Sequence, residues 1–226
     1  MRADERRPRS DDDRWRAKVA HYQDPAVVAA YDAQRFEGAG QQRSTRRKWR
    51  ALRRGLGPQF DAVTSVLDVP CGTGRFTQLL LGAGKRVVNA DRSRPMLLAA
   101  GEKAGADRAG LVECDAARLP FADRSFDLVL SVRFFLHVPK PMRAGILREM
   151  GRVSRRHVVV DVRHRYSLTT VGKRWRARLA GRPPPSLRSS LAEIDADVAA
   201  AGLVLAKRTW FSPGFSEKML IFCLRP

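Results

Sequence analysis

Between Ser65 and Val162 the apolar residues fall into short, nearly continuous runs separated by stretches of helical spacing. The runs are SVLDV (65–69), RVVNA (86–90), GLVEC (110–114), FDLVLSV (126–132) and HVVVDV (157–162). They are too short for helices and rich in β-branched residues, which predicts strands buried on both faces. Between them, Arg75–Leu81, Ser93–Lys103 and Met142–Val153 read as helices; Ile146, Leu147, Met150 and Val153 mark the inward side of the last, and Ser93 is placed to cap the second. Such alternation predicts an α/β fold, a Rossmann-like doubly wound sheet with ligands beyond the carboxyl ends of its parallel strands.

Outside this block the pattern changes. Residues 1–18 are charged and poor in apolar groups, which predicts a mobile tail. The stretch DPAVVAAYDAQRFEG from Asp24 has Val27, Val28 and Tyr31 at helical spacing, and RSTRRKWRALRRGLG puts Trp49, Leu52 and Leu56 on one stripe among arginines. That second helix is expected to cover the sheet and turn its basic side to solvent. After Val162, HRYSLTTVGKRWRARLAGRPPPSLR is basic and ends near three prolines, an insertion rather than a core element. Ser190 and Glu193 have capping-box spacing for a helix that stops at Gly202. LVLAKRTWF and SEKMLIFCL then flank an SPG turn, as an antiparallel hairpin at a sheet edge would. The expected organisation is one domain over 19–226: N-terminal helices (19–60), a core (65–162), the insertion (163–189), then the C-terminal helix and hairpin (190–226), seven strands in all.

Composition adds less. The 226 residues suit a single domain with a real core. No apolar run approaches the roughly 18 residues of a membrane span, and the first residues carry no apolar leader, so a cytoplasmic location is expected. Cys71, Cys114 and Cys223 are scattered and make no metal-ligand spacing with the four histidines, so three reduced thiols and no metal are expected. Lys and Arg exceed Asp and Glu by 7 over residues 1–60, by 3 over 61–150 and by 10 over 151–226. The excess thus gathers at both ends and avoids the central block.

The chemistry lies at the strand ends. In DVPCGTG a strand ends at Asp68 and a helix starts beyond glycines at 72 and 74, which brings backbone N–H groups close to a ligand. A dinucleotide loop would carry a third glycine where Thr77 stands, and a phosphate-binding P-loop would carry Lys-Ser/Thr. Neither is present, which points away from pyrophosphate, and Asp68 suits a cationic group. Asp91 follows the second strand, where a carboxylate can accept two ribose hydroxyls, and Asp115 follows the third, where it can accept from an exocyclic amine. Three acids at three successive strand ends are a coherent pattern.

These residues resemble the class I S-adenosylmethionine-dependent methyltransferases, especially the small-molecule type that includes ubiquinone and menaquinone methyltransferases. The likeness rests on VLDVPCGTGRF, VVNADRSRPMLLAA, VECDAARLPFADRSFDLVLSV, FLHV and ILREMGRV, in that order. The resemblance implies S-adenosylmethionine as cofactor. Asp68, Gly72 and Gly74 would line its methionine part, Asp91 would hold the ribose, and Met96 would pack near the adenosine. Asp115 and the backbone of Ala116 would read the adenine, with Ser131 and Val132 forming the floor near the sulfonium. Pro70 departs from the family, which usually has glycine there; a stiffer loop with intact binding is expected.

For the acceptor, His137 beyond the fourth strand is the best-placed base or positioning group, with Arg133 in the same segment. Arg163, His164, Arg165 and Tyr166 follow the fifth strand and would favour an anionic acceptor. Tyr31 and Arg35 would close over the cofactor by analogy with the family. A small-molecule acceptor, anionic or lipid-linked, is the leading expectation. The basic ends leave RNA methylation or a non-catalytic partner role as alternatives, but no N/D-P-P-Y/F signature of adenine amino-group methylation is present. KRWRARLAG, with Trp and Leu among its cations, has the composition of a peripheral membrane contact.

Overall fold

The structure is a computed structural model that describes residues 10–36, 39–105, 108–165, 168–181, 189–211 and 217–226. Four helices open the chain: α1 (Asp11–His21), α2 (Pro25–Phe36), α3 (Ala39–Leu56) and α4 (Gln59–Ala62). The alternating block follows as β1 (Ser65–Asp68), α5 (Arg75–Gly82), β2 (Arg86–Asp91), α6 (Arg94–Ala104), β3 (Ala109–Glu113), β4 (Phe126–Ser131), α7 (Lys140–Val153) and β5 (Ser154–Arg163). Then come α8 (Leu168–Leu179), α9 (Leu191–Ala200), β6 (Val204–Trp210) and β7 (Lys218–Leu224).

The seven strands form one sheet in the order β3-β2-β1-β4-β5-β7-β6. The first five are mutually parallel, whereas β7 runs antiparallel to both β5 and β6. The alternating side chains of the central strands divide between two cores, as a sheet covered on both faces requires. Val66, Leu128, Leu130, Val159, Leu220 and Phe222 pack with Leu52 of α3 and Leu80 of α5. Leu67, Val129, Val158, Val160, Met219 and Ile221 pack on the other side with Ile146 and Met150 of α7 and Ile194 and Val198 of α9. The strand order reverses between β1 and β4, so their carboxyl ends diverge into a crevice.

Local signals explain the helix starts. The Ser93 hydroxyl accepts from the Met96 N–H at 3.2 Å, and Ser190 with Glu193 forms the expected capping box. The helix α3 lies on β6 and β7 with Leu52 and Leu56 buried, as its apolar stripe implies. One expectation fails at the edge: β3 is exposed along most of its length, because it is the outermost strand and receives less cover.

Two further readings are corrected. The expected mobile tail over residues 1–18 contains most of α1, which is closed by a Ser10/Asp13 capping box and packs Trp15 against Phe134 at 5.7 Å between ring centroids; residues 1–9 lie outside the described residues. The insertion 163–189 carries a helix, α8, and its two ends are pinned by a bridge between His164 and Ser189. The SPG turn lies outside the described residues.

Candidate active site

A large cavity opens where β1, β2 and β4 end, roofed by α1 to α3. Its floor is the β1–α5 loop. The Val69–Pro70 bond is cis, and the Cys71 N–H donates to Ala90 O at 2.9 Å, tying the loop to β2. Gly72 (φ +54°) and Gly74 (φ +73°) both take the left-handed conformation that other residues resist. A Cβ at Gly74 would also meet Ala100 of α6 at 2.9 Å, so that glycine lets α5 and α6 approach.

Asp68 lies at the inner end of the cavity, 2% exposed. Burial pushes its pKa up to about 7, with a smaller push from the charge of Asp91 and a partial offset from Thr77. The Thr77 hydroxyl stands 3.3 Å from Asp68 Oδ2 and 2.7 Å from Asn89 Oδ1. It has one hydrogen to share between two acceptors, so its donation offsets the burial of Asp68 only in part. Without a cation, Asp68 is therefore comfortable as the neutral acid; a cation in the cavity would favour the carboxylate.

Asp91 is also buried, and burial raises its pKa while backbone N–H groups oppose the rise. Its Oδ2 accepts from Gly72 N–H and its Oδ1 from Ser93 N–H, each at 2.9 Å. Each oxygen keeps a second lone-pair direction for a ligand hydroxyl. Asp115, nearly half exposed, pairs with Arg92 at 3.2 Å across the rim and accepts from the Ala117 N–H at 2.9 Å.

The facing wall is cationic and aromatic. Trp15, Lys18 and Tyr22 come from α1 and the turn after it, Tyr31 from α2, Lys48 from α3, and Arg133, Phe134 and His137 from the segment after β4. Tyr22 and Tyr31 meet edge to face at 5.6 Å. Lys48, 5% exposed, forms a buried ion pair with Asp161 of β5; burial lowers its pKa and the Asp161 charge resists the change. Arg133 has φ +66°, the left-handed conformation that residues other than glycine rarely adopt, just beyond the end of β4.

Residues 66–157 match the family model of a methyltransferase domain. That match identifies this segment as a methyltransferase domain. It is 35% identical over 155 residues to Methyltransferase GfsG of Streptomyces halstedii, covering 64% of this chain and 54% of that one. It is 46% identical over 90 residues to the demethylmenaquinone methyltransferase of Beutenbergia cavernae, covering 40% of this chain and 36% of that one. This chain thus spans about half or less of the length of these two relatives. In fold it matches the crystal structure of magnesium protoporphyrin IX methyltransferase (ChlM) from Synechocystis PCC 6803 with bound SAH, at TM-score 0.70 and 15% identity, covering 94% of this chain and all of that one.

In and around this methyltransferase domain, Asp68, Gly72, Asp91, Met96, Asp115, Ala116, Val132, Arg133, His137 and Tyr31 all border the cavity. Gly74 and Ser131 do not: Gly74 packs on α6, and Ser131 is fully buried with an Oγ that has no hydrogen-bond partner. Strand alternation turns Ser131 into the sheet and leaves Val132 at the mouth.

Arg163 and Arg165 are not among the residues lining the cavity. Arg163 pairs with Glu217 at 3.6 Å and borders a separate small cleft, and Arg165 pairs with Glu193 at 3.2 Å, so these cations answer acids of the C-terminal half. His164 is buried edge-on to Trp210. Tyr166 lies outside the described residues, and Arg35 sits on α2.

Sequence reasoning missed Trp15, Lys18, Tyr22 and Lys48. The signal for Lys48 was present: it precedes Trp49 and lies four residues before Leu52, on the buried stripe of α3. The three thiols are free. Burial holds Cys114 up at about 11 and Cys223 at about 12, and pushes Cys71 well above the usual thiol value, so all three remain protonated and unreactive at neutral pH. Among the described residues no cluster of three metal-ligating side chains exists, and no helix is long and apolar enough to cross a membrane.

Proposed function

We propose that this chain transfers a methyl group from S-adenosylmethionine to a small anionic acceptor. The observation that carries the reading is the division of charge across one cavity. Acids stand at the ends of β1 and β2 and after β3, while Lys18, Lys48 and Arg133 stand on the opposite wall among Trp15, Tyr22, Tyr31 and Phe134.

The cavity residues suit the cofactor. The buried Asp68 lacks a cationic partner strong enough to keep it ionised, which fits an ammonium or sulfonium beside it. Asp91 has lone pairs for ribose hydroxyls, Met96 offers an apolar flank, and Asp115 with Ala116 stands where an adenine edge would be read. When bound, S-adenosylmethionine supplies a methyl group already activated by its sulfonium. The chain's own work is then positioning and shielding. Lys48 and Arg133 would hold an acceptor oxygen in its ionised, nucleophilic form. The rings of Trp15 and Phe134 would keep water out, and His137 would take a proton from an acceptor that arrives neutral.

Calorimetric titration with S-adenosylmethionine and S-adenosylhomocysteine tests the cofactor half. Micromolar binding is expected, and Asp91→Ala should weaken it at least about tenfold, or ~1.4 kcal/mol. A wild-type protein that binds neither would overturn the assignment. For the acceptor, labelled methyl transfer to a panel of phenols and aromatic carboxylates is compared with transfer to their neutral analogues; a preference for the neutral set would sink the anionic reading.

A further inference from the structure

We infer that α8 docks the protein on an anionic phospholipid surface. The helix presents Val171, Trp175 and Leu179 to solvent at 49%, 67% and 79% exposure. They are spaced i, i+4, i+8, so at 100° per residue they fall within an arc of about 80° and form one stripe. A tryptophan and two aliphatic side chains on a single exposed helix face are not scatter; they are a surface waiting to leave water.

The charge around the stripe identifies what receives it. From Val171 to Leu179, the span of the stripe, the sequence has four Lys and Arg and no Asp or Glu. Arg176 and Arg178 are exposed on the helix itself, and Arg178 borders the stripe. A long guanidinium there can lay its stem along an apolar surface and reach outward to phosphates. An apolar stripe edged by cations, with an aromatic ring at its middle, is the composition of a helix lying in a headgroup layer. Nucleic acid would satisfy the cations and leave Val171, Trp175 and Leu179 in water.

The placement is consistent with use. The strand β5 runs parallel to β4, so α8 leaves the sheet at the same end as the cavity. The segment is anchored where it departs and returns: Arg165 N–H donates to Ser189 O at 3.0 Å, and Ser189 N–H donates to Arg163 O at 3.2 Å. A surface bound through α8 would therefore lie against the end of the molecule where the cavity opens. The inference stands on this helix and is independent of methyl transfer.

The full chain is floated with phosphatidylcholine vesicles with and without phosphatidylglycerol, at physiological ionic strength. Binding to the anionic vesicles only is expected. Trp175→Ser with Leu179→Ser leaves the net charge unchanged and should lower that binding about tenfold or more, whereas Trp175→Phe should keep most of it. Arg46→Glu with Arg50→Glu removes more charge from the exposed side of α3 and should lower it less than about threefold. Both stripe residues are exposed, so circular dichroism and melting should match wild type. The inference is overturned if the serine variant binds as wild type, if the α3 variant loses as much as the serine variant, or if the protein is retained by polyuridylate and not by vesicles.

Discussion

A carboxylic acid buried without a matching cation takes up a proton, and Asp68 does so with a pKa raised to about 7, chiefly by burial. In the unfolded chain the same group ionises near pH 4. Between about pH 4 and 7 the folded state thus holds a proton that the unfolded state releases. The stabilising contribution is complete below that window and is lost as pH rises through about 7. Asp68→Asn removes the titration, so the melting temperature of the wild type should fall relative to the variant between about pH 4 and 7 and level off above; parallel curves would contradict the account. A cationic ligand needs the carboxylate, so S-adenosylmethionine should bind the wild type more tightly as pH rises to about 7, and this dependence should vanish in Asp68→Asn. The acid was legible in the sequence because strand ends and glycines frame it. Its protonation was not, because the burial that drives it arises only when the surrounding elements close over the end of β1.

The N-terminal layer sits on the sheet through a glycine. A Cβ on Gly55 of α3 would lie 1.8 Å from Phe222 Cζ of β7, so the aromatic ring occupies the place a side chain would take. Gly55→Ala should cost about 1–3 kcal/mol by chemical denaturation. Adding Phe222→Leu, which removes the colliding ring, should return part of that loss; an unchanged midpoint in Gly55→Ala would refute the packing. The strands could be read from short, β-branched apolar runs such as Val66–Asp68 or Val158–Val160, and most helices from the spacing between those runs. The helix α1 could not, because its charged sequence buries little beyond Trp15 and Val19, and the Ser10/Asp13 cap hides among other acids. Glycine 55 likewise looks like an ordinary helix interruption until β7 is set beneath it.

At the scale of the molecule, one buried ion pair joins the helical roof to the sheet. Lys48 on α3 and Asp161 on β5 are 5% and 2% exposed. Losing Lys48 alone strands a carboxylate inside the protein, so Lys48→Met should destabilise by about 3 kcal/mol, and Lys48→Met with Asp161→Leu should recover most of it. Equal losses in the single and double variants would show that the pair's charge is not what matters. The sequence placed both residues in the right elements and could not pair them across 113 positions. Arg163 and Arg165, expected near an acceptor because they follow the fifth strand, pair with Glu217 and Glu193. The strand order has a different reach. The last strand in the chain, β7, is not at an edge but lies between β5 and β6, and it brings Met219, Leu220, Ile221 and Phe222 into both cores. On the ribosome, β5 and β6 are therefore made with an open slot between them, and each presents an unpaired backbone edge until the final strand emerges. The nascent chain can assemble its cofactor-binding half early, yet it cannot seal this sheet until β7 has left the ribosome.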